Sequence, residues 1–437
     1  METSMPVQNP ALRRIVIIGN SATAVGAIEA LRKHDQSAEV TVISSEPHMI
    51  YSRPMLSHYL AGEIERPRLA YRGQDFYARH NVRPVLSDPV TRIDPQAHSV
   101  TTASGQTFAY DKLLIATGGN PIVPPLPGLN VEGVYAFTRL DDALAILNYT
   151  KTQGARHAVV IGGGMIGIKA TDALMKRGLQ ISMVELAPAI LARSLDDVGS
   201  RIMTDLLTNA GVEVLLENTV TEVQSHEGRL TGVVLRGGRQ IPCDLLVFGI
   251  GVRPNAGLAR EAGIKVNQGI VVDDSMRTSD PDIYAAGDVA EAYDLVVDMN
   301  RIVAIWPNAY RQGATAGAHM VGVERSDPGG IAMNTVEVCG VPAISVGNGN
   351  APAEGHQVLT ELDERAHHYR RLVLKDGRLV GVILVGNINR AGVYTGLIRN
   401  KTDVSGCERA LLSDRVSLLS LPDQYRKHVV TGAGIEV

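Results

Sequence analysis

Cysteine is scarce in this sequence: Cys243, Cys339 and Cys407 are the three in 437 residues, and they lie far apart. Such spacing offers no disulfide framework, and an iron–sulfur cluster held by this chain alone would need about four thiolates. No metal site is expected. The low cysteine count fits a reducing cytoplasm, which is the expected location. Aromatic residues make up only 4%, a poor supply for a nucleic-acid stacking surface. The net charge of −4 gives no general attraction to nucleic acid or to an anionic membrane. No segment approaches about 18 consecutive apolar residues, so no transmembrane helix is expected. The opening METSMPVQNPALRR lacks the apolar core of a signal peptide and reads as a disordered leader.

What the chain does have is glycine, 44 residues of it, within an ordinary balance of 45% hydrophobic and 20% charged residues. Its length predicts about two to four domains. The glycines fall in a repeated plan. An apolar strand over 15–18 runs into Gly19-Asn20-Ser21-Ala22-Thr23-Ala24, a helix to about 33 and a second strand over 40–44. The same order recurs as a strand over 157–161, Gly162-Gly163-Gly164-Met165-Ile166-Gly167, a helix to about 177 and a strand over 180–185. Each reads as βαβ, the opening of a nucleotide-binding unit. A second pair also repeats: Asp111 to Gly118 leads to Pro121, and Asp244 to Gly251 leads to Pro254. Both are apolar strands ending in glycine before a proline-bearing crossing, where the chain is expected to pass between domains.

Turn dipeptides Ser104-Gly105, Gly237-Gly238 and Asp376-Gly377 predict hairpins. The last belongs to a segment from about 327 that has no nucleotide signature and reads as a separate α+β domain. The expected fold is therefore α/β, with two Rossmann-like domains and a C-terminal α+β domain. Their boundaries are 1–120 with 246–326, then 121–245, and finally 327–437.

Taken together, these motifs resemble the FAD/NAD(P)-dependent pyridine nucleotide–disulfide oxidoreductase superfamily. Within it, the chain is most similar to rubredoxin and ferredoxin reductases and related NADH-linked subunits. The resemblance implies that the first corner takes FAD. Helix N-termini offer free N–H groups and a partial positive charge to a pyrophosphate. Gly19 keeps its usual place, while Ser21 and Ala24 stand where glycines are usual, both small enough to preserve the close approach. Glu46, beside Ser45, is the implied partner of the FAD ribose. The stretch Tyr51-Ser52-Arg53-Pro54-Met55-Leu56-Ser57 resembles the segment along the flavin face, placing Arg53 and Pro54 nearby. Thr117, Gly118 and Gly251, at the two strand ends, and Gly287 join this cofactor set. In the signature running from Thr278 to Val289, Asp288 is implied to bind the ribityl chain. The helix opening at Trp306 would direct its positive end at the flavin N1/O2 edge.

The second corner would take the nicotinamide nucleotide through Gly162, Gly164 and Gly167. Glu185 accepts hydrogen bonds from a ribose 2′-hydroxyl and repels a 2′-phosphate, which favours NAD(H) over NADP(H). No arginine follows; the next residues are Leu186-Ala187-Pro188.

The departures from the resemblance narrow the chemistry. No cysteine pair exists, and the stretch 49–62 holds no cysteine, with Ser52 and Ser57 instead. Disulfide reduction is excluded, and cysteine-based peroxidase or oxidase chemistry is disfavoured; Cys243 reads as core. Lys169 stands where relatives often carry glutamate, and His58 where they carry its lysine partner. Lys169 and Arg53 are the expected catalytic residues, with Lys169 near flavin N5 and the nicotinamide. The other reading of Lys169 is a stem along the helix surface with its ammonium in water. Electrons would pass between NAD(H) and an external iron–sulfur protein, either a diffusing rubredoxin or ferredoxin or subunits of a larger complex. One such complex is a multisubunit 2-oxoacid:acceptor oxidoreductase. Alternatives are an NADH oxidase using O2 and a slow flavin-holding structural or signalling subunit. A homodimer or a place in a hetero-oligomer is expected.

Overall fold

In the computed structural model, residues 13–413 are described. The expected disordered leader lies almost wholly outside that range, as does the end of the C-terminal segment. The chain opens with β1 (Arg14–Ile18), α1 (Ala22–His34), β2 (Glu39–Ile43), α2 (Leu56–Ala61), β3 (Val82–Val85) and β4 (Lys112–Ile115). Next come β5 (Val134–Ala136), α3 (Leu140–Gln153), β6 (His157–Ile161), α4 (Met165–Lys176), β7 (Gln180–Val184), α5 (Asp197–Asn209), β8 (Glu213–Leu215) and β9 (Leu245–Phe248). The chain then supplies β10 (Ile283–Ala285) and α6 (Trp306–Met320).

Two five-stranded parallel sheets result, ordered β10-β4-β1-β2-β3 and β5-β9-β6-β7-β8. They share one plan, with β1 and β6 at the centre. The apolar runs of β1, β4, β6 and β9 are buried because parallel sheets are covered on both faces. The sheets differ in how the strand beside β4 or β9 arrives: β5 precedes β6 in the chain, whereas β10 reaches β4 from far downstream. The two proline-bearing crossings pair with each other, Gly119–Pro121 antiparallel to Val252–Pro254. All three predicted hairpins form.

Helices α1 and α6 touch backbone to backbone, and glycine permits it. A Cβ added at Gly26 would stand 2.1 Å from the Tyr310 carbonyl oxygen, and one at Gly313 would stand 2.1 Å from that of Thr23. The C-terminal segment forms an antiparallel sheet of β11 (Met333–Val338), β12 (Val341–Gly347), β13 (Gln357–Asp363), β14 (His368–Lys375) and β15 (Arg378–Val385), in the order β11-β12-β15-β14-β13, followed by α7 (Ala391–Arg399). One face packs into the core shared with α4 and α5, through Val338, Tyr369 and Ile383. The other packs under α7, through Leu372, Leu384 and Leu397. The architecture is α/β with an α+β C-terminal unit, as expected.

Candidate functional site

A cleft with a cavity volume of about 230 Å3 opens at the C-terminal ends of β1, β2 and β4. This is where parallel α/β sheets bind ligands. It gathers Gly19, Ser21, Glu46, Arg53, Thr117, Gly118, Asp288 and Trp306 from the expected set. Gly19 adopts φ +116°, and a Cβ there would lie 2.1 Å from the Ala116 carbonyl oxygen, so the turn after β1 must be glycine to pass the end of β4. Ser21 precedes α1 in extended conformation and its side chain caps nothing. The first-turn N–H groups of α1 therefore keep their capacity for an anionic ligand. Thr117 donates through Oγ1 to the Asn255 carbonyl at 2.8 Å.

Asp288 makes no side-chain hydrogen bond among the described residues. Burial pushes its carboxyl pKa up, while the Arg53 guanidinium pulls it down. A half-buried carboxylate facing a cleft without a donor suits a ligand rich in hydroxyls. Gly287, at φ +79°, brings Asp288 against α1, since a Cβ at Gly287 would sit 2.4 Å from Thr23 Oγ1. The start of α6 closes the floor with Trp306 and Ala309. The uncapped helix start, the glycine cradle and the half-buried acid without a donor together fit a dinucleotide carrying a polyhydroxyl chain, as FAD does.

Glu46 lies at the rim as a hub. One oxygen accepts from Arg53 and the other from the Tyr51 hydroxyl at 2.6 Å. Tyr51 accepts in turn from the Leu140 amide at 3.1 Å, and Arg53 donates to the Thr138 carbonyl at 2.9 Å. Burial drives the Tyr51 phenol pKa upward; Arg53 opposes that and Glu46 adds to it. For Arg53, desolvation lowers the pKa, but Tyr51 and Glu46 outweigh it and hold the guanidinium above its ordinary value.

Four expected residues stand outside the cleft lining: Gly287, which positions Asp288 as described, and three others. Ala24 is fully buried in α1 and serves its packing against the sheet. Pro54 is exposed in the short turn of helix before α2. Gly251 turns the chain at φ +126° between β9 and its crossing. Sequence reasoning missed Asn20, Thr138, Arg139 and Asn255, all of which line the cleft. Asn255 was within reach, because its crossing repeats the spacing of the one at Pro121.

The second corner follows β6. Gly162 has φ +104°, and a Cβ at Gly167 would lie 1.7 Å from the Gly162 carbonyl oxygen, so α4 starts in contact with the strand end. Gly164 precedes α4 with open space at its Cβ position. Glu185 turns toward the same corner: Oε2 accepts from the Gly163 amide and Oε1 from that of Ala187 at 2.7 Å. Lys169 is on α4, where desolvation lowers its pKa and no ion pair among the described residues offsets that. Its side chain is half-buried. His58 bonds instead to Glu63 at 2.5 Å, and Glu63 pairs with Lys176 at 2.6 Å. It belongs to that surface network.

Cys243 is buried, with its thiol pushed up to about 12 by desolvation. No group of three metal-ligating side chains occurs among the described residues, and no described helix is long and apolar enough to cross a membrane.

Comparison with known proteins agrees with this geometry. Residues 13–313 match the family "Pyridine nucleotide-disulphide oxidoreductase", and residues 333–402 match "Rubredoxin NAD+ reductase C-terminal domain". The chain is 32% identical over 399 residues to a nitrite reductase [NAD(P)H] of Bacillus subtilis, covering 90% of this chain but 48% of that protein. It thus spans about half the length of several curated relatives that it matches. It is 31% identical to the epsilon subunit of NADH-dependent phenylglyoxylate dehydrogenase from Aromatoleum evansii, covering 90% of this chain and 93% of that one. Among solved structures, a ferredoxin reductase for the CYP199A2 system from Rhodopseudomonas palustris superposes with a TM-score of 0.82 at 27% identity, covering 90% and 96% of the two chains. The chain belongs to the pyridine nucleotide-disulphide oxidoreductase family, whose members bind FAD and NAD(H).

Proposed function

We propose that this chain is an FAD-dependent reductase that moves electrons between NAD(H) and an iron–sulfur protein or subunit. The observation that carries the reading is the duplication: two parallel sheets of one plan, each with a glycine corner after its central strand and a glutamate at the end of the next. Segments 1–120 and 246–326 would form the FAD unit, 121–245 the NAD unit and 327–437 an interface unit. The kinship with the phenylglyoxylate dehydrogenase subunit supports work inside a complex, and that with the ferredoxin reductase supports a soluble carrier. A homodimer or a hetero-oligomer in the cytoplasm suits either.

When bound, FAD accepts two electrons as hydride and releases them singly. The chain's own residues do the rest. The first-turn amides of α1 would hold the pyrophosphate, Glu46 the ribose and Asp288 the ribityl hydroxyls, with Arg53 steadying both carboxylates. The amides at the start of α4 would hold the second pyrophosphate, and Glu185 would select a free 2′-hydroxyl. Lys169 would set a cation beside the site of hydride transfer.

The purified protein should be yellow, bleach anaerobically with NADH much more readily than with NADPH, and regain colour with oxidised rubredoxin or ferredoxin. A colourless protein that takes up neither nucleotide would overturn the reading. Rapid reoxidation by O2 alone would transfer it to the NADH oxidases. Lys169→Ala should slow flavin reduction by NADH in stopped flow; an unchanged rate removes Lys169 from the site.

A further inference from the structure

The C-terminal sheet reaches the second corner through the loop at 186–196, which follows Glu185. That loop folds back over the glycine turn. The Gly163 carbonyl accepts from the Leu191 amide at 2.8 Å, and a Cβ at Gly163 would meet Ile190 at 2.9 Å. Leu191 holds φ +53°, a conformation costly for leucine that the surroundings must enforce.

The far end of the loop is fastened to the other unit. Asp196 accepts from the Tyr369 hydroxyl at 2.5 Å and from Arg371 Nη1 at 3.2 Å, and also caps α5 by accepting from the Gly199 amide at 3.1 Å. Arg371 is itself held, donating to the Gly349 and Ala351 carbonyls at 3.1 and 2.7 Å. Asn350 Nδ2 adds a bond to the Ala192 carbonyl at 2.8 Å. The Arg371 and Asp196 side chains are only 15% and 10% exposed, so solvent screens this pair weakly.

We propose that Tyr369 and Arg371 are positioning residues for the nicotinamide nucleotide. From the C-terminal sheet they fix the 186–196 loop, and through it the orientation in which Glu185 meets the adenosine ribose. NAD(H) affinity is thereby set in part by residues that touch no cofactor. This rests on the reading of Glu185 given above, and it assigns the C-terminal unit a task in binding.

The test uses the full-length, FAD-loaded protein. NAD+ binding is followed by calorimetry, and steady-state rates are measured with NADH. Arg371→Gln should weaken NAD+ by at least about fivefold, roughly half the scale of one charge-assisted hydrogen bond. The loss should fall on KM rather than kcat, with FAD retained. Tyr369→Phe, which removes one hydroxyl, should act in the same direction and decides the matter if Arg371→Gln does not fold. In a Glu185→Ala background either change should add no further loss, because it acts through Glu185. Unchanged NAD+ affinity in the folded variants, or additive losses in the double variants, would overturn the proposal. A wild-type protein that binds no NAD+ would instead overturn the Glu185 reading, before any variant is made.

Discussion

Lys169 is half-buried, and the fold withdraws its ammonium from part of its water without supplying a carboxylate among the described residues. Its pKa is lowered in the folded state, so the unfolded chain binds that proton more tightly, and stability rises with pH between the folded and the ordinary lysine value. Below that window the half-buried charge is a standing cost. Lys169→Met should therefore stabilise the protein at neutral pH by on the order of 1 kcal/mol, and the gain should vanish as pH climbs through the ordinary lysine range. Urea unfolding at a series of pH values reads this directly; a gain independent of pH would mean that packing, not charge, is responsible. Asp288 poses the converse case, a half-buried carboxylate without a donor among the described residues. Asp288→Ala should raise the FAD dissociation constant about tenfold or more, the effect of losing a hydrogen bond to a charged group. Flavin fluorescence titration gives that value.

Among the elements, the α1–α6 contact is the least forgiving. Gly26→Ala places a methyl 2.1 Å from a backbone oxygen that cannot swing away. It should cost about 1–3 kcal/mol as the helices separate. Because both helix starts line the cleft, flavin affinity should fall with it, as thermal unfolding with and without added FAD would record. This contact also marks where sequence reading stopped. The two βαβ openings were legible because apolar strands running into glycine turns follow local rules, and Glu185 followed from its place at a strand end, whereas Asp288 came from the family signature at 278–289. Gly26 gave no warning: its partner Tyr310 is nearly 300 residues away, and no local pattern announces a helix crossing. Ala24 was assigned to the ligand on a motif position, yet packing claims it. Glu46 was assigned to the FAD ribose through the resemblance, but its clasp by Tyr51 and Arg53, which Leu140 of α3 buttresses from the other unit, had no local signal.

For the molecule as a whole, that clasp is a seam. The loop at 46–53 meets the first turn of α3 through His48 and Asp141 at 2.7 Å, the Leu140 amide on Tyr51, and Arg53 on the Thr138 carbonyl. Tyr51→Phe strands the Leu140 amide and one Glu46 oxygen, at a cost of about 1–3 kcal/mol. Calorimetry should show a lower midpoint, with the two nucleotide units unfolding less cooperatively than in the wild type. An unshifted midpoint would mean that the seam bears little of the stability.

The late arrival of β10 sets a schedule for synthesis. Its residue Ile283 lies beside Leu113 of β4, a separation of 170 residues (283 − 113). At about 5–20 residues per second, a ribosome needs roughly 10–30 s to supply that neighbour. Throughout that interval the outer border of β4 offers unpaired amides and carbonyls to any passing strand. The intervening sheet from β5 to β9 is complete before then. The second glycine corner is thus assembled on the nascent chain before β10 and α6 complete the first cleft, and the nascent β4 border is where chaperone protection is most needed.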